Sequence, residues 1–71
     1  MVTKLKLARM ESGDSQKDVA ARLNISTGLL SGIENGKAVC PSWLRLRLAL
    51  TVGRADTELF DKDGFPRLLR A

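Results

Sequence analysis

The sequence predicts an all-α domain built from five short helices. Three observations predict it. Apolar residues recur at three- and four-residue spacing between helix-capping residues, no segment reads as a credible strand, and the connections are short. With 71 residues, 44% of them apolar, the chain is one small domain near the lower limit for an independent core.

The elements follow in order. "TKLKLARMES", residues 3–12, reads as a first helix that stops at Gly13; Leu5, Ala8 or Arg9, and Met10 are too few to fix its face. Ser15 opens a second helix, with Asp18 three residues on in the manner of a capping box. Val19, Ala20 and Leu23 form its buried stripe, and the small Ala20 lets a crossing helix come close. In the turn "LNIS", Asn24 tolerates the left-handed conformation that ends a helix sharply. Ser26 caps a third helix running to about Asn35, with Leu30 and Ile33 in the core and Gly36 as its stop. After the loop "AVCP", Ser42 is expected to cap a fourth helix, "WLRLRLALTV", ended by Gly53.

That fourth helix is apolar almost all round. Trp43, Leu46, Ala49 and Leu50 make one face, and Leu44, Leu48 and Val52 another. Such a helix is buried on several sides or used at an interface, and Trp43 is assigned to the core. A fifth short helix, "DTELF", begins at Asp56; "DKDG" is a turn and "FPRLLRA" a tail. The domain is placed at residues 1–60 and the tail at 61–71.

Composition limits the chemistry. The net charge is +4, which favours an anionic partner. Residues 1–54 carry nine Lys/Arg against four acids, a net +5, whereas residues 55–71 carry three against four, a net −1. Basic function therefore belongs to the first part. One cysteine, Cys40, and no histidine exclude a disulfide framework, a Cys/His zinc site and any histidine-based catalytic triad. No enzyme, metal or cofactor is expected. No apolar run approaches a membrane span, and the N-terminus lacks a signal-peptide profile, so a reduced, cytoplasmic setting is expected.

A helix, a three- or four-residue turn and a second helix, with Ala20 near the crossing, is the helix-turn-helix pattern. Its first helix braces across the phosphate backbone and its second lies in the major groove. The longer frame "SQKDVAARLNISTGLLSGIENGK…P", followed by an apolar helix, a glycine and "DTELF", resembles the Cro/C1-type repressors, also called the XRE family, over roughly residues 3–60.

The resemblance implies a compact five-helix lambda-repressor-like DNA-binding domain. It puts Gln16 where the family's glutamine bonds a phosphate and buttresses the recognition helix. Thr27, Gly28, Leu29 and Gly32 fall on positions that touch bases, and Asn35 and Lys37 on positions that meet the backbone. Arg9 and Glu34 fall on a pair that forms a buried ion pair in some members. Lys17 lies next to a phosphate-facing position, and Ser26 and Ser31 complete the candidate DNA-binding set. The helix starts at Gln16 and Thr27 also offer free N–H groups to anions.

One departure stands out. Bidentate reading of a base needs Arg, Lys, Asn or Gln, and the third helix has none before Asn35. Gly28 and Gly32 sit one turn apart in it, each costing about 1 kcal/mol of helix stability relative to Ala. Glycine lets the backbone approach another surface closely. That surface is DNA read through phosphates and shape, or else a protein; on a third reading the helix is a degraded reader.

The sequence-level function is a repressor-like, sequence-specific regulator binding double-stranded DNA as a homodimer on a two-fold operator. The alternative is a protein-interaction module on the same scaffold, binding another regulator instead of DNA. The dimer surface is expected on helix four, the fifth helix and the tail, through Leu44, Leu48, Leu50, Phe65, Leu68 and Leu69. In the tail, Phe65, Leu68 and Leu69 are spaced as one helical face, with Pro66 suited to a first helical turn. The competing reading folds the tail back over its own chain.

Overall fold

A computed structural model describes residues 2–69. It contains α1 (Lys4–Ser12), α2 (Gln16–Leu23), α3 (Thr27–Glu34), α4 (Ser42–Val52) and α5 (Asp56–Leu59). The described residues form two isolated antiparallel bridges but no named strand. The fold is all-α.

Side-chain caps set the starts of the first three helices. Thr3, Ser15 and Ser26 each accept a hydrogen bond from the backbone N–H three residues on, at 3.1, 3.0 and 3.0 Å. Asn24 closes α2 at φ 56°, the one non-glycine residue with positive φ among those described. Its short polar side chain makes that conformation tolerable. At α4 the cap position falls on Pro41, without a side-chain hydrogen bond, and Ser42 is the first helical residue instead of the cap. Proline's fixed φ suits the extended entry into the helix.

The core lies where α1, α2 and α3 meet α4 and α5. Leu5, Val19, Leu30, Ile33, Leu44, Leu48 and Leu59 are completely buried. Each such side chain contributes about 1.5–3 kcal/mol relative to exposure. Ala20 of α2 is buried in the same core cluster.

Helix α4 sorts its apolar residues differently from expectation. Leu44, Leu48, Ala49 and Val52 face the core, while Trp43, Leu46 and Leu50 are 57%, 59% and 74% exposed. Trp43 is therefore not a core residue. Leu44 and Leu48 present no surface and are removed from the expected dimer contact. Packing of α4 against α1, α2 and α5 selects which of its two apolar faces is buried.

Among the described residues, the tail is not helical. Residues 65–69 run extended between two other segments of the same chain. On one side Asp61 N–H donates to the Phe65 carbonyl (2.9 Å) and Arg67 N–H to Leu59 (2.8 Å). On the other, Lys4 N–H donates to Arg67 (2.8 Å) and Leu69 N–H to Val2 (3.0 Å). A helix over these residues would leave those groups at both chain ends without partners. Phe65, Leu68 and Leu69 remain 45%, 47% and 39% exposed.

The turn before the tail is anchored from within. The Asp61 carboxylate accepts from the N–H groups of Asp63 (2.9 Å) and Phe65 (3.0 Å). The Gly64 carbonyl accepts from Cys40 N–H (2.9 Å), and the Cys40 carbonyl accepts from Arg45 Nε (3.0 Å). Gly64 has φ 90°, and a Cβ there would lie 2.6 Å from the Cys40 carbonyl oxygen and clash with the Arg45 guanidinium. No other residue type fits.

Candidate nucleic-acid interface

Helix α3 is held by one side. Leu30, Ile33 and Glu34 are buried, and the buried glutamate organises three helices. Arg9 of α1 donates through Nε to Glu34 Oε2 (2.6 Å) and through Nη2 to Oε1 (3.1 Å). Gln16 of α2 donates through Nε2 to the same Oε1 (3.0 Å). Arg9 Nη1 also donates to the Asp14 carbonyl (3.0 Å). The Thr3 hydroxyl donates to the Glu34 carbonyl (2.7 Å), so the residue capping α1 also ties down the end of α3. A buried carboxylate is tolerable because its charge is paired and its oxygens are hydrogen-bonded.

This network fixes the start of α2 against the end of α3. The buttressing expected of Gln16 is present in its bond to Glu34. One N–H of its amide is committed there; the second is free to turn outward. Lys17 follows Gln16, Asn35 follows Glu34 and Lys37 lies three residues after Glu34; all three are exposed. The loop carrying Lys37 is pinned as well: Lys37 N–H and Ala38 N–H both donate to the Gly32 carbonyl, at 2.8 and 3.1 Å. Neither Lys17 nor Lys37 enters an ion pair among the described residues. By contrast, Arg22 is occupied by Asp14 (3.0 Å). The Arg22 hydrogen bonds hold the Asp14 carboxyl below its ordinary pKa.

The other side of α3 is bare. At 100° per residue, Thr27, Ser31 and Asn35 form its outward stripe, with Gly28 and Gly32 beside them. Asn35 Nδ2 donates to Ser31 Oγ (3.2 Å), which leaves Asn35 Oδ1 as an outward acceptor. Ser26 caps the helix through Leu29 N–H, and the N–H groups of Thr27 and Gly28 have no intrahelical partner. Leu29 departs from the expected reading face. It is half-buried and packs against the core, so only its edge is open.

The glycines answer to nothing inside the chain. A Cβ on Gly28 would meet only Ser26 Oγ at 3.9 Å, and one on Gly32 only Ala38 Cβ at 3.5 Å. Both are ordinary distances.

Sequence reasoning proposed Gln16, Lys17, Lys37 and the α3 stripe for this surface. It missed Thr3, although a threonine just before a helical pattern is a capping signal. It also missed the Asn35–Ser31 bond, whose four-residue spacing is the available clue.

Cys40 is buried, and burial pushes its thiol up to about 11 against the pull of Arg45, which keeps the thiol protonated at neutral pH. No group of metal-binding side chains is present among the described residues, and none of their helices is long and apolar enough to cross a membrane.

A family model described as a helix-turn-helix domain matches residues 1–62. No curated protein and no solved structure gives a significant match to the chain.

Proposed function

The chain belongs to the helix-turn-helix domain family, and from that premise we propose that it is a repressor-like transcriptional regulator of the Cro/C1 (XRE) type. Helix α3 lies in the major groove, and α2 braces across the phosphates. The observation that carries this reading is the contrast on α3. Its inner side is fixed by a buried ionic network, and its outer side is small, uncharged and flanked by the unpaired Lys17 and Lys37.

The proposed roles follow from chemistry. Lys17, Lys37, the outward N–H of Gln16 and the starts of α2 and α3, including Ser26, hold phosphates. Thr27, Ser31 and Asn35 reach base edges, and the edge of Leu29 touches a thymine methyl. Gly28 and Gly32 let the helix backbone sit deep, so that groove shape contributes to recognition. The regulator binds as a homodimer in the cytoplasm, two half-sites being about 34 Å apart. With Leu44 and Leu48 removed, the proposed self-association residues are Leu50, Phe65, Leu68 and Leu69.

The test is a fluorescence titration of duplex DNA, taken from upstream of the protein's own gene and of random sequence, at several salt concentrations. Lys17 and Lys37 alone predict a log–log salt slope of about −1.8 per protomer. A preference for the upstream duplex completes the expected result. Salt-independent or absent binding would instead favour the interaction-module reading, in which α3 meets a protein.

A further inference from the structure

Residues 63–69 lie beyond the stretch that the family model matches, and the DNA-binding reading makes no use of their backbone. That backbone is bonded to the two segments that hold the far end of α3. The first segment is residues 2–4. The last four carbonyls of a helix have no partner within it. In α3, the Ser31 carbonyl accepts from Asn35 N–H (3.0 Å), Ile33 from Gly36 N–H (3.1 Å), and Gly32 from Lys37 and Ala38 N–H. Glu34 is completely buried, and its carbonyl is met by the Thr3 hydroxyl instead. The Thr3 oxygen also accepts from Lys6 N–H, so both roles of the hydroxyl are filled.

Thr3 is itself held by the tail. It is buried and bridged to Leu68, with tail hydrogen bonds on either side of it at Val2 and Lys4. The second segment is the loop after α3. That loop is bonded to α3 at its start, through Lys37 and Ala38, and to the tail turn at its end, where Cys40 N–H donates to the Gly64 carbonyl.

We propose that the tail is a strap that positions the end of α3, acting through the Thr3 hydroxyl and the Cys40 N–H. Asn35 and Lys37 lie within three residues of Glu34, so the strap sets where they stand toward DNA; this last step rests on the DNA-binding reading. Thr3, being buried, is a positioning residue that acts through Glu34. The strap uses backbone groups of the tail, which leaves the exposed side chains of Phe65, Leu68 and Leu69 available for the proposed self-association.

Native-state hydrogen exchange of the intact, unaltered chain in rising urea tests the strap without DNA. The amides of Leu69, Lys4, Cys40, Lys37 and Ala38 should open together, with one dependence on urea. Opening of Lys37 and Ala38 at any step other than that of Leu69 and Lys4 would overturn the proposal. Thr3→Val removes the hydroxyl and keeps the shape. It should speed exchange at Lys37 and Ala38 as well as at Lys6, and weaken duplex binding by about tenfold. Thr3→Ser, which keeps the hydroxyl, should restore both. Faster exchange at Lys6 alone would mean that the hydroxyl only caps α1, and would equally overturn the proposal. Should Thr3→Val not fold, exchange in the unaltered chain decides. Absence of duplex binding by the unaltered chain would count against the DNA-binding reading, while the exchange result still decides whether the tail holds α3.

Discussion

Glycine meets opposite demands in two regions of this molecule. At Gly64 the fold leaves no alternative: φ is 90°, and a Cβ would strike the Cys40 carbonyl and the Arg45 guanidinium. At Gly28 and Gly32 the backbone is helical and a Cβ has room. The tail turn therefore needs its glycine for folding. Helix α3 carries two that lower its stability, and nothing within the chain requires them. On the proposed reading, their reason lies outside the chain, at the DNA surface that α3 approaches.

The largest effect expected is on the inner side of α3. Arg9→Ala leaves the buried Glu34 carboxylate unpaired and should cost about 3–5 kcal/mol in denaturant unfolding. A loss under 1 kcal/mol would mean that α3 is not held by that network. Gly64→Ala comes next, at about 2–4 kcal/mol from strain and overpacking. A neutral result would dissolve the contrast between the two kinds of glycine.

Cys40 gives a smaller, pH-dependent effect in the loop that anchors Gly64. Its folded pKa is raised, so the folded chain keeps the proton where the unfolded chain has begun to lose it. The stabilisation is full below the ordinary value of 9.0 and is lost as pH rises through about 11. Unfolding measured across that window should show a decline that Cys40→Ala lacks. On the DNA side, Lys37→Ala should reduce the salt slope by about one unit per protomer and weaken specific and random duplexes alike. An unchanged slope would remove Lys37 from the interface.

The sequence foretold local features more readily than packing choices. Ser15, Ser26, Asn24, Gly13 and Gly53 announce helix ends, because capping and left-handed backbone depend on residues close in the chain. Val19, Ala20 and Leu23 declare a buried side because α2 has a single apolar stripe. Helix α4 has two, so its sequence cannot say which faces inward; only its neighbours decide between Leu44 with Leu48 and Trp43 with Leu46 and Leu50. The tail misled for a related reason. Phe65, Pro66, Leu68 and Leu69 satisfy a helical pattern, but the hydrogen bonds that hold them extended come from residues 2–4 and 59–61, distant in sequence. The candidate interface was proposed from the helix-turn-helix pattern and the resemblance. Its buttress was legible only through the resemblance that paired Arg9 with Glu34, since a glutamate near a helix end otherwise reads as exposed.

The central claim is that α3 keeps glycine for the sake of a close approach to DNA. Gly28→Ala and Gly32→Ala, made singly and together, test it when thermal stability and duplex affinity are measured on the same samples. The account predicts that each substitution stabilises the fold, by about 0.5–1 kcal/mol, while weakening duplex binding, most strongly in the double variant. Variants that gain stability and bind duplex DNA as well as the original chain, or better, would contradict it.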